Sequence, residues 1–284
     1  MHKYIFVADM FSDQYAGGAE LTTDAIIGNK EDVLKINSHN LTDVFMEKNN
    51  DKIWIFGNFS NVNPKMLMNI IKTKIKYHIL EYDFKMCLYR SVQKHEELSG
   101  ACDCIENPYG KLISLFFSRA NKIWFMSEKQ SNDYQNKMPF LKKQNIKILS
   151  SVFDLSHLEN MVSLNKEIKK ENNKYIILNS SSWIKGVGDC VEYANKNNLE
   201  YELVWGLEYG DMLKKIRKSK GLIFLPKAPD TCPRIVIEAK ILECDLHLNE
   251  NVYHKDEEWF QEGKIIEYLK NRVDYFWSEV ESNE

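Results

Sequence analysis

The stretch "FLPKAPDTCPRIVIEAK", residues 224–240, decides the fold. It closes the apolar run GLIFLP (221–226), passes through Pro-Asp-Thr-Cys-Pro and opens a helix that carries Arg234 and Glu238. A short continuous apolar run suits a strand covered on both faces. Pro233 suits the first turn of a helix. Asp230 therefore falls in a loop at a strand's carboxyl end, where open α/β sheets bind ligands. Glu238 falls about five residues into the helix, among Ile235, Val236, Ile237 and Ala239. A plain core unit needs neither carboxylate.

The same rhythm extends outward in both directions. Strand-like runs at 4–8, 52–57, 76–82, 122–127, 146–151, 174–180, 201–206, 221–226 and 244–249 alternate with helix-like pieces at 19–28, 64–73, 111–120, 127–137, 186–197, 209–219 and 233–242. This order predicts an α/β protein with parallel sheets and helices on both faces. Residues 156–173 are polar and lysine-rich with no strong buried face, and a second strand-helix series starts at Tyr175. The expected organisation is a Rossmann-like domain over 1–152, a linker over 153–173, and a second Rossmann-like domain over 174–262. A helix over 263–284 spaces Ile265, Ile266, Leu269, Val273 and Phe276 at helical intervals and is long enough to pack back on the first domain.

The chain's 284 residues suffice for one large domain or two ordinary ones. At 44% hydrophobic and 28% charged it reads as globular. A net charge of -3 gives no global basic field for nucleic acid or an anionic membrane. No apolar run reaches the ~20 residues of a transmembrane segment. "MHKYIFVAD" reads as a first strand rather than a signal peptide. The six scattered cysteines do not form a disulfide framework, so the expectation is reduced thiols in a cytoplasmic protein.

Two further motifs sit at strand ends. In "DQYAGGAEL" (13–21), Gly17 and Gly18 can take positive φ and let backbone approach a ligand, with the free N–H groups of the next helix facing the loop. The same residues also suit an ordinary strand-to-helix turn. In "NSSSWIKGV" (179–187), Lys185 offers a point charge for a diphosphate, Gly186 marks a helix start, and Ser180, Ser181 and Ser182 add hydroxyl donors. A capped helix with an exposed lysine would read alike.

Together these motifs resemble the GT-B glycosyltransferases, in particular the retaining glycogen-synthase-like, family 4-like group. That group has a Gly-Gly turn after strand one, a Lys-Gly after the second domain's first strand, and an acidic-x7-Glu motif. The matches here are Gly17-Gly18, Lys185-Gly186, and Asp230 with Glu238. The resemblance implies two domains facing a central cleft and transfer of a sugar from a nucleotide-diphosphate sugar, a UDP- or GDP-sugar, to an acceptor hydroxyl. Gly17 and Gly18 would close over the diphosphate, Lys185 would neutralise it, and Gly186, Ser182 and Thr231 would line the donor. Glu238 would hold the ribose and Asp230 would face the sugar. The acceptor would be a glycan, a lipid-linked sugar or a modified nucleic acid. Departures are Ser180 where the family often has arginine, with Arg234 as the replacement charge, and Thr-Cys-Pro after Asp230 where a glycine-rich backbone is usual.

The implied mechanism retains configuration and needs no cofactor or catalytic metal. If the enzyme inverts instead, a general base is required, and Asp83 is the candidate, with Asp13 second. Alternatives are a sugar-nucleotide epimerase of the same architecture, a DNA-base glycosyltransferase, or a non-catalytic nucleotide-sugar-binding module. Cys87, His95, Cys102 and Cys104 are ligand types suited to zinc. If 84–97 is one helix, however, Cys87 and His95 stand about 12 Å apart along its axis, and the Cys-x-Cys of Cys102 and Cys104 is not the usual zinc-finger knuckle spacing. The reading therefore assigns no metal and treats 81–104 as an acceptor-side wall of Tyr82, Asp83, Arg90 and His95.

Overall fold

The computed structural model describes residues 2–261 and 263–282, and the chain divides into two compact units. One comprises the chain up to Val152 together with the segment from Arg272; the other is Phe153–Asn271.

The first unit runs β1 (Tyr4–Ala8), α1 (Gly18–Ile27), β2 (Val33–Asn37), α2 (Asp43–Lys48), β3 (Ile53–Phe56), α3 (Pro64–Lys72), β4 (Lys76–Glu81), α4 (Val92–Ser99), α5 (Pro108–Arg119), β5 (Lys122–Phe125), α6 (Glu128–Lys137) and β6 (Ile146–Ile148). Its sheet is parallel throughout, in the order β2-β1-β3-β4-β5-β6. Strands β1 and β5, each one in from an edge, are buried along their whole length, which is why, Lys122 apart, their sequences are continuous apolar runs rather than alternating ones. Trp54, Phe56, Phe59, Tyr77 and Phe116 pack edge to face and stacked beside them, with Tyr77 and Phe116 ring centroids 4.6 Å apart.

The second unit runs α7 (Leu155–Glu167), β7 (Tyr175–Leu178), α8 (Val187–Lys196), β8 (Tyr201–Val204), α9 (Tyr209–Lys218), β9 (Gly221–Phe224), α10 (Arg234–Ile241), β10 (Asp245–Leu248), α11 (Glu258–Gln261) and α12 (Ile265–Lys270). Its parallel sheet has the order β10-β9-β7-β8. Tyr175, Ile177, Cys190, Ala194 and Ile223 form a core between the sheet and α8.

The last helix, α13 (Arg272–Glu281), belongs to the first unit. Trp277 donates its indole N–H to the Ile26 carbonyl at 2.7 Å and packs on Tyr4, and Lys122 Nζ reaches Glu279 Oε2 at 2.7 Å.

Four differences from the sequence expectation stand out, the first being that the helix expected over 263–284 is two, α12 in the second unit and α13 in the first, parted at Asn271. Strand β2 was not anticipated. It is an edge strand whose Lys35 and Asn37 break the apolar signal, and only Val33 is buried. The supposedly featureless stretch 156–173 contains most of α7, which buries Leu158, Met161 and Leu164 at three-residue spacing. Arg217 fastens that helix by donating to the carbonyls of Asn165, Ile168 and Leu242. Finally, no helix spans 84–97. A turn closes from Cys87 N to Phe84 O and from Arg90 N to Cys87 O, and Arg90 takes φ +54° before Ser91 caps α4.

Burial has a consequence for acid stability. His254 is fully buried between Trp259 and Phe260, and burial holds its pKa down at about 3, against 6.5 for an exposed histidine. In the window between those values the unfolded chain binds a proton that the folded one does not, so this group's contribution to stability falls as pH falls. Going from pH 7 to pH 5, His254→Phe should gain about 2 kcal/mol relative to the unsubstituted chain. Chemical denaturation of both chains at the two pH values measures this difference.

Candidate active site

In the second unit the loops leaving β7 and β9 are pressed together. The turn Trp183–Lys185 ends on Gly186, which takes φ +61° and ψ 39° and caps α8. A Cβ at Gly186 would lie 2.2 Å from the Leu225 carbonyl oxygen, so glycine is required both by conformation and by space. Lys227 N donates to the Ile184 carbonyl at 2.9 Å and Leu225 N to Cys190 Sγ at 3.3 Å. Asp230 is pinned at its backbone, donating to Asn251 O at 2.8 Å and accepting from Tyr253 N at 3.1 Å. Asn249 and Asn251 both donate side-chain N–H groups to the Pro226 carbonyl. With both loops held this way, Lys185 Nζ meets Asp230 Oδ2 at 2.6 Å. The lysine side chain remains 28% exposed, so the pair is open to solvent.

Behind it lies a second, enclosed group. Glu238 is buried on α10; Tyr209 donates its hydroxyl to Glu238 Oε1 at 2.9 Å, and Arg234 Nε stands 3.6 Å from the same oxygen. The Arg234 guanidinium lies 3.8 Å from the centre of the Phe153 ring. Burial pushes the Glu238 carboxyl above the usual range, and the charge of Arg234 pulls it back in part. His157 packs edge-on against Tyr209 and pairs with Asp154, the residue that caps α7. Tyr209, His157, Asp154 and Phe153 were all missed by the sequence reading. None sits in a motif, and three of them belong to the stretch read as linker or its border.

The remaining predicted donor residues scatter in character. Ser182 is exposed and its carbonyl accepts from Lys185 N, while Thr231 is buried in the loop. In the first unit Gly17 precedes α1 and Gly18 opens it. Gly17 has φ -87°, so positive φ is not the reason for glycine there. A Cβ would meet Glu20 Oε2 at 2.4 Å and the Tyr15 ring at 2.6 Å.

Asp83 follows the carboxyl end of β4 in a dense ionic group. Lys85 Nζ lies 3.2 Å from Asp83 Oδ1 and 3.3 Å from Glu81 Oε1, and Arg90 Nε donates to Asp83 Oδ2 at 2.5 Å. Arg90 also donates to Asn58 Oδ1 at 3.0 Å. Burial works to raise the Asp83 carboxyl, but Lys85 and Arg90 outweigh it and hold it below the usual range. Glu81, entirely enclosed, is pushed up by burial more than Lys85 can offset. Asp9, at the end of β1, accepts from Ser60 N and Asn61 N at 2.9 Å each and from Ser38 Oγ at 2.5 Å. Asp9, Asn58, Glu81 and Lys85 were not singled out from sequence; each reads as an ordinary strand-end residue until the fold joins them.

Set beside solved structures, the chain is similar to the Anabaena protein HepE in complex with UDP and glucose, with TM-score 0.57, 11% identity and 100% of both chains covered. It is similar to an E. coli trehalose-6-phosphate protein bound with UDP-2-fluoro glucose, with TM-score 0.55, 9% identity, and 99% of this chain and 96% of that one covered. It is also similar to an alpha-glucosyltransferase in complex with UDP and a 13-mer DNA containing an HMU base, with TM-score 0.51, 13% identity, and coverage of 98% and 92%. No family model matches the chain, and no curated protein does. At these identities the likeness establishes the fold alone: α/β units with parallel sheets, in a GT-B-like arrangement of elements.

The geometry at Gly186 makes a direct prediction. Gly186→Ala combines a left-handed backbone with a clash against main chain, and should destabilise the second unit by about 2–4 kcal/mol. Thermal unfolding of the variant should show a lowered midpoint, whereas Gly188→Ala, whose Cβ would meet nothing, should not.

Proposed function

We propose that the protein is a glycosyltransferase that moves a sugar from a nucleoside-diphosphate donor to an acceptor hydroxyl, retaining the anomeric configuration and using no catalytic metal. The observation that carries this reading is the Lys185–Asp230 pair, held at 2.6 Å at the carboxyl ends of β7 and β9, with buried Glu238 on the helix that follows. Ligands of open α/β sheets bind at that edge. The similar structures named above hold UDP or UDP-linked sugars, which makes a UDP- or GDP-sugar the donor class to test first.

Breaking the anomeric C–O bond builds positive charge on the sugar and negative charge on the departing diphosphate. Lys185 supplies fixed positive charge for the diphosphate, exchanging Asp230 for it when the donor arrives. Asp230, released, faces the sugar. Glu238 accepts the ribose hydroxyls, and Tyr209 and Arg234 hold its carboxylate in place, so Arg234 acts as a positioning residue. Ser182, Gly186 and Thr231 line the donor, and the Gly17-Gly18 turn belongs to the diphosphate side. The leaving diphosphate takes the acceptor's proton, which gives retention without a separate base.

Retention is favoured over inversion by the state of Asp83. An inverting enzyme needs a base with some proton affinity. Both Asp83 carboxylate oxygens are already engaged, Oδ1 by Lys85 Nζ at 3.2 Å and Oδ2 by the Arg90 guanidinium, an arrangement that sets Asp83 against taking an acceptor's proton. The acceptor is better read as a glycan or lipid-linked sugar than as duplex DNA, since a net charge of -3 gives no broad field for phosphates. Among the described residues no helix is long and apolar enough to cross a membrane.

Thermal shift with UDP-, GDP-, ADP- and CDP-sugars should single out one nucleotide. Glu238→Ala should lose that shift. Lys185→Ala should keep part of it while kcat falls by about 10²–10³. A folded wild-type chain that responds to none of the four donors would refute the reading. NMR of the product's anomeric proton distinguishes retention from inversion; an inverted product would return Asp83 to the role of base.

A further inference from the structure

Cys87, His95, Cys102 and Cys104 lie in one segment of the first unit, and their ligand atoms are all within 4.8 Å of one another. Cys104 Sγ is 3.3 Å from His95 Nδ1, and Cys87 Sγ is 3.7 Å from it. We propose that these four side chains bind a structural Zn²⁺, independently of the nucleotide-sugar reading.

The two thiol–imidazole distances, 3.3 and 3.7 Å, fall close to the edges of a tetrahedron, and the widest spacing in the group, within 4.8 Å, is about an ångström from closing on one ion. With Zn–S near 2.3 Å and Zn–N near 2.0–2.1 Å, ligand atoms around one ion stand about 3.5–3.8 Å apart. The objection from sequence was that a helix over 84–97 would separate Cys87 from His95. That helix does not exist. Cys87 sits in the turn before α4 and His95 on α4 itself, and the chain reverses twice, at Arg90 (φ +54°) and Gly100 (φ +80°). The two reversals bring positions 87, 95, 102 and 104 to a common point. Three thiolates and an imidazole are a set that zinc takes in closed, structural sites, with no position left for substrate. Each Zn–S bond replaces an S–H, whose proton goes to solvent.

Two further observations fit this assignment. Leu88 N points at Cys104 Sγ at 3.3 Å, an N–H···S contact of the kind that steadies a metal thiolate. Helix α4 is short and lightly packed: of its eight residues Val92 is buried, His95 packs on the Tyr89 ring, and Leu98 is 62% exposed. A helix so short and so poorly packed is marginal by itself. A zinc ion would tie its His95 to the turn on one side and to the Cys102–Cys104 strand of chain on the other. A cavity of about 220 Å³ lined by Met86, Cys102, Cys104 and Lys137 gives an entry path. The clamp would also fix Arg90, and through it the contacts to Asp83 and Asn58.

The test uses the full chain purified without chelator. Elemental analysis should find about one zinc per chain. Removing it with a chelator should lower the unfolding midpoint, and restoring zinc should recover it. Replacement by Co²⁺ should give the intense visible bands and thiolate charge-transfer absorption of a tetrahedral, sulfur-rich site. Cys102→Ser, at the most accessible of the three cysteines, and His95→Ala should each lower zinc affinity on the order of tenfold or more. A reduced wild-type chain that neither contains nor takes up zinc would overturn the proposal. So would zinc retained undiminished by both variants, a disulfide among Cys87, Cys102 and Cys104, or a weak octahedral cobalt spectrum. If either variant fails to fold, the cobalt spectrum of the wild-type chain decides.

Discussion

The close approach of Gly186 to the Leu225 carbonyl sets the spacing of the loops at the carboxyl ends of β7 and β9. A side chain at position 186 would occupy the same space as main-chain oxygen, so the loop carrying Lys185 can lie against the loop carrying Asp230 only if 186 is glycine. The left-handed backbone at that residue also starts α8 in the right direction. Two loops that approach this closely can present opposite charges at 2.6 Å without either element bending. The two ion pairs that result differ in kind. Lys185–Asp230 is partly exposed, and such pairs contribute on the order of 1 kcal/mol or less, which leaves them free to exchange partners with a ligand. Arg234–Glu238 is enclosed, and separating it would strand a charge in the interior at a cost of about 3–5 kcal/mol. In the proposed reading the first pair opens to an arriving anion while the second stays still.

The same division recurs in the first unit. Lys85 is fully enclosed between Glu81 and Asp83, while Arg90 reaches Asp83 from a half-exposed position. Three strand ends contribute to this surface: Asp9 after β1, Asn58 after β3, and Asp83 after β4. A parallel sheet makes this unavoidable, because strands buried on both faces have no side on which to place polar groups except their ends.

How much of this could be read from the sequence depends on range. Continuous apolar runs gave the central strands of both sheets to within a residue or two at their starts, and Pro233 and Gly186 marked their helices correctly. Lys185, Asp230 and Glu238 were legible because each lies at a fixed offset from a strand that could be recognised. The edge strand β2 was not, since half-exposed edge positions tolerate lysine and asparagine. Helix α7 was hidden because it buries a narrow stripe, Leu158, Met161 and Leu164, amid polar residues, and is fastened by Arg217 some fifty residues on. Tyr209 and His157 were invisible for a related reason. Their role comes from contact with Glu238 and with each other, and no local pattern encodes a partner that distant.

The segment 84–104 shows the opposite error, in which a local rule was applied where it does not hold. Helical spacing separated Cys87 from His95 because nothing in "FKMCLYRSVQKH" announces a reversal: the residue that turns the chain is Arg90, not glycine or asparagine. A non-glycine residue in the left-handed region costs about 1–3 kcal/mol and persists only where surrounding contacts over-determine it. Arg90 has such contacts in its bonds to Asp83 and Asn58, and Ser91 immediately caps the helix that follows. The ionic group at the end of β4 and the cysteine-histidine cluster are thus joined through one strained residue. Whatever steadies the cluster steadies the guanidinium that pairs with Asp83, and the strain at position 90 is the physical link between the two.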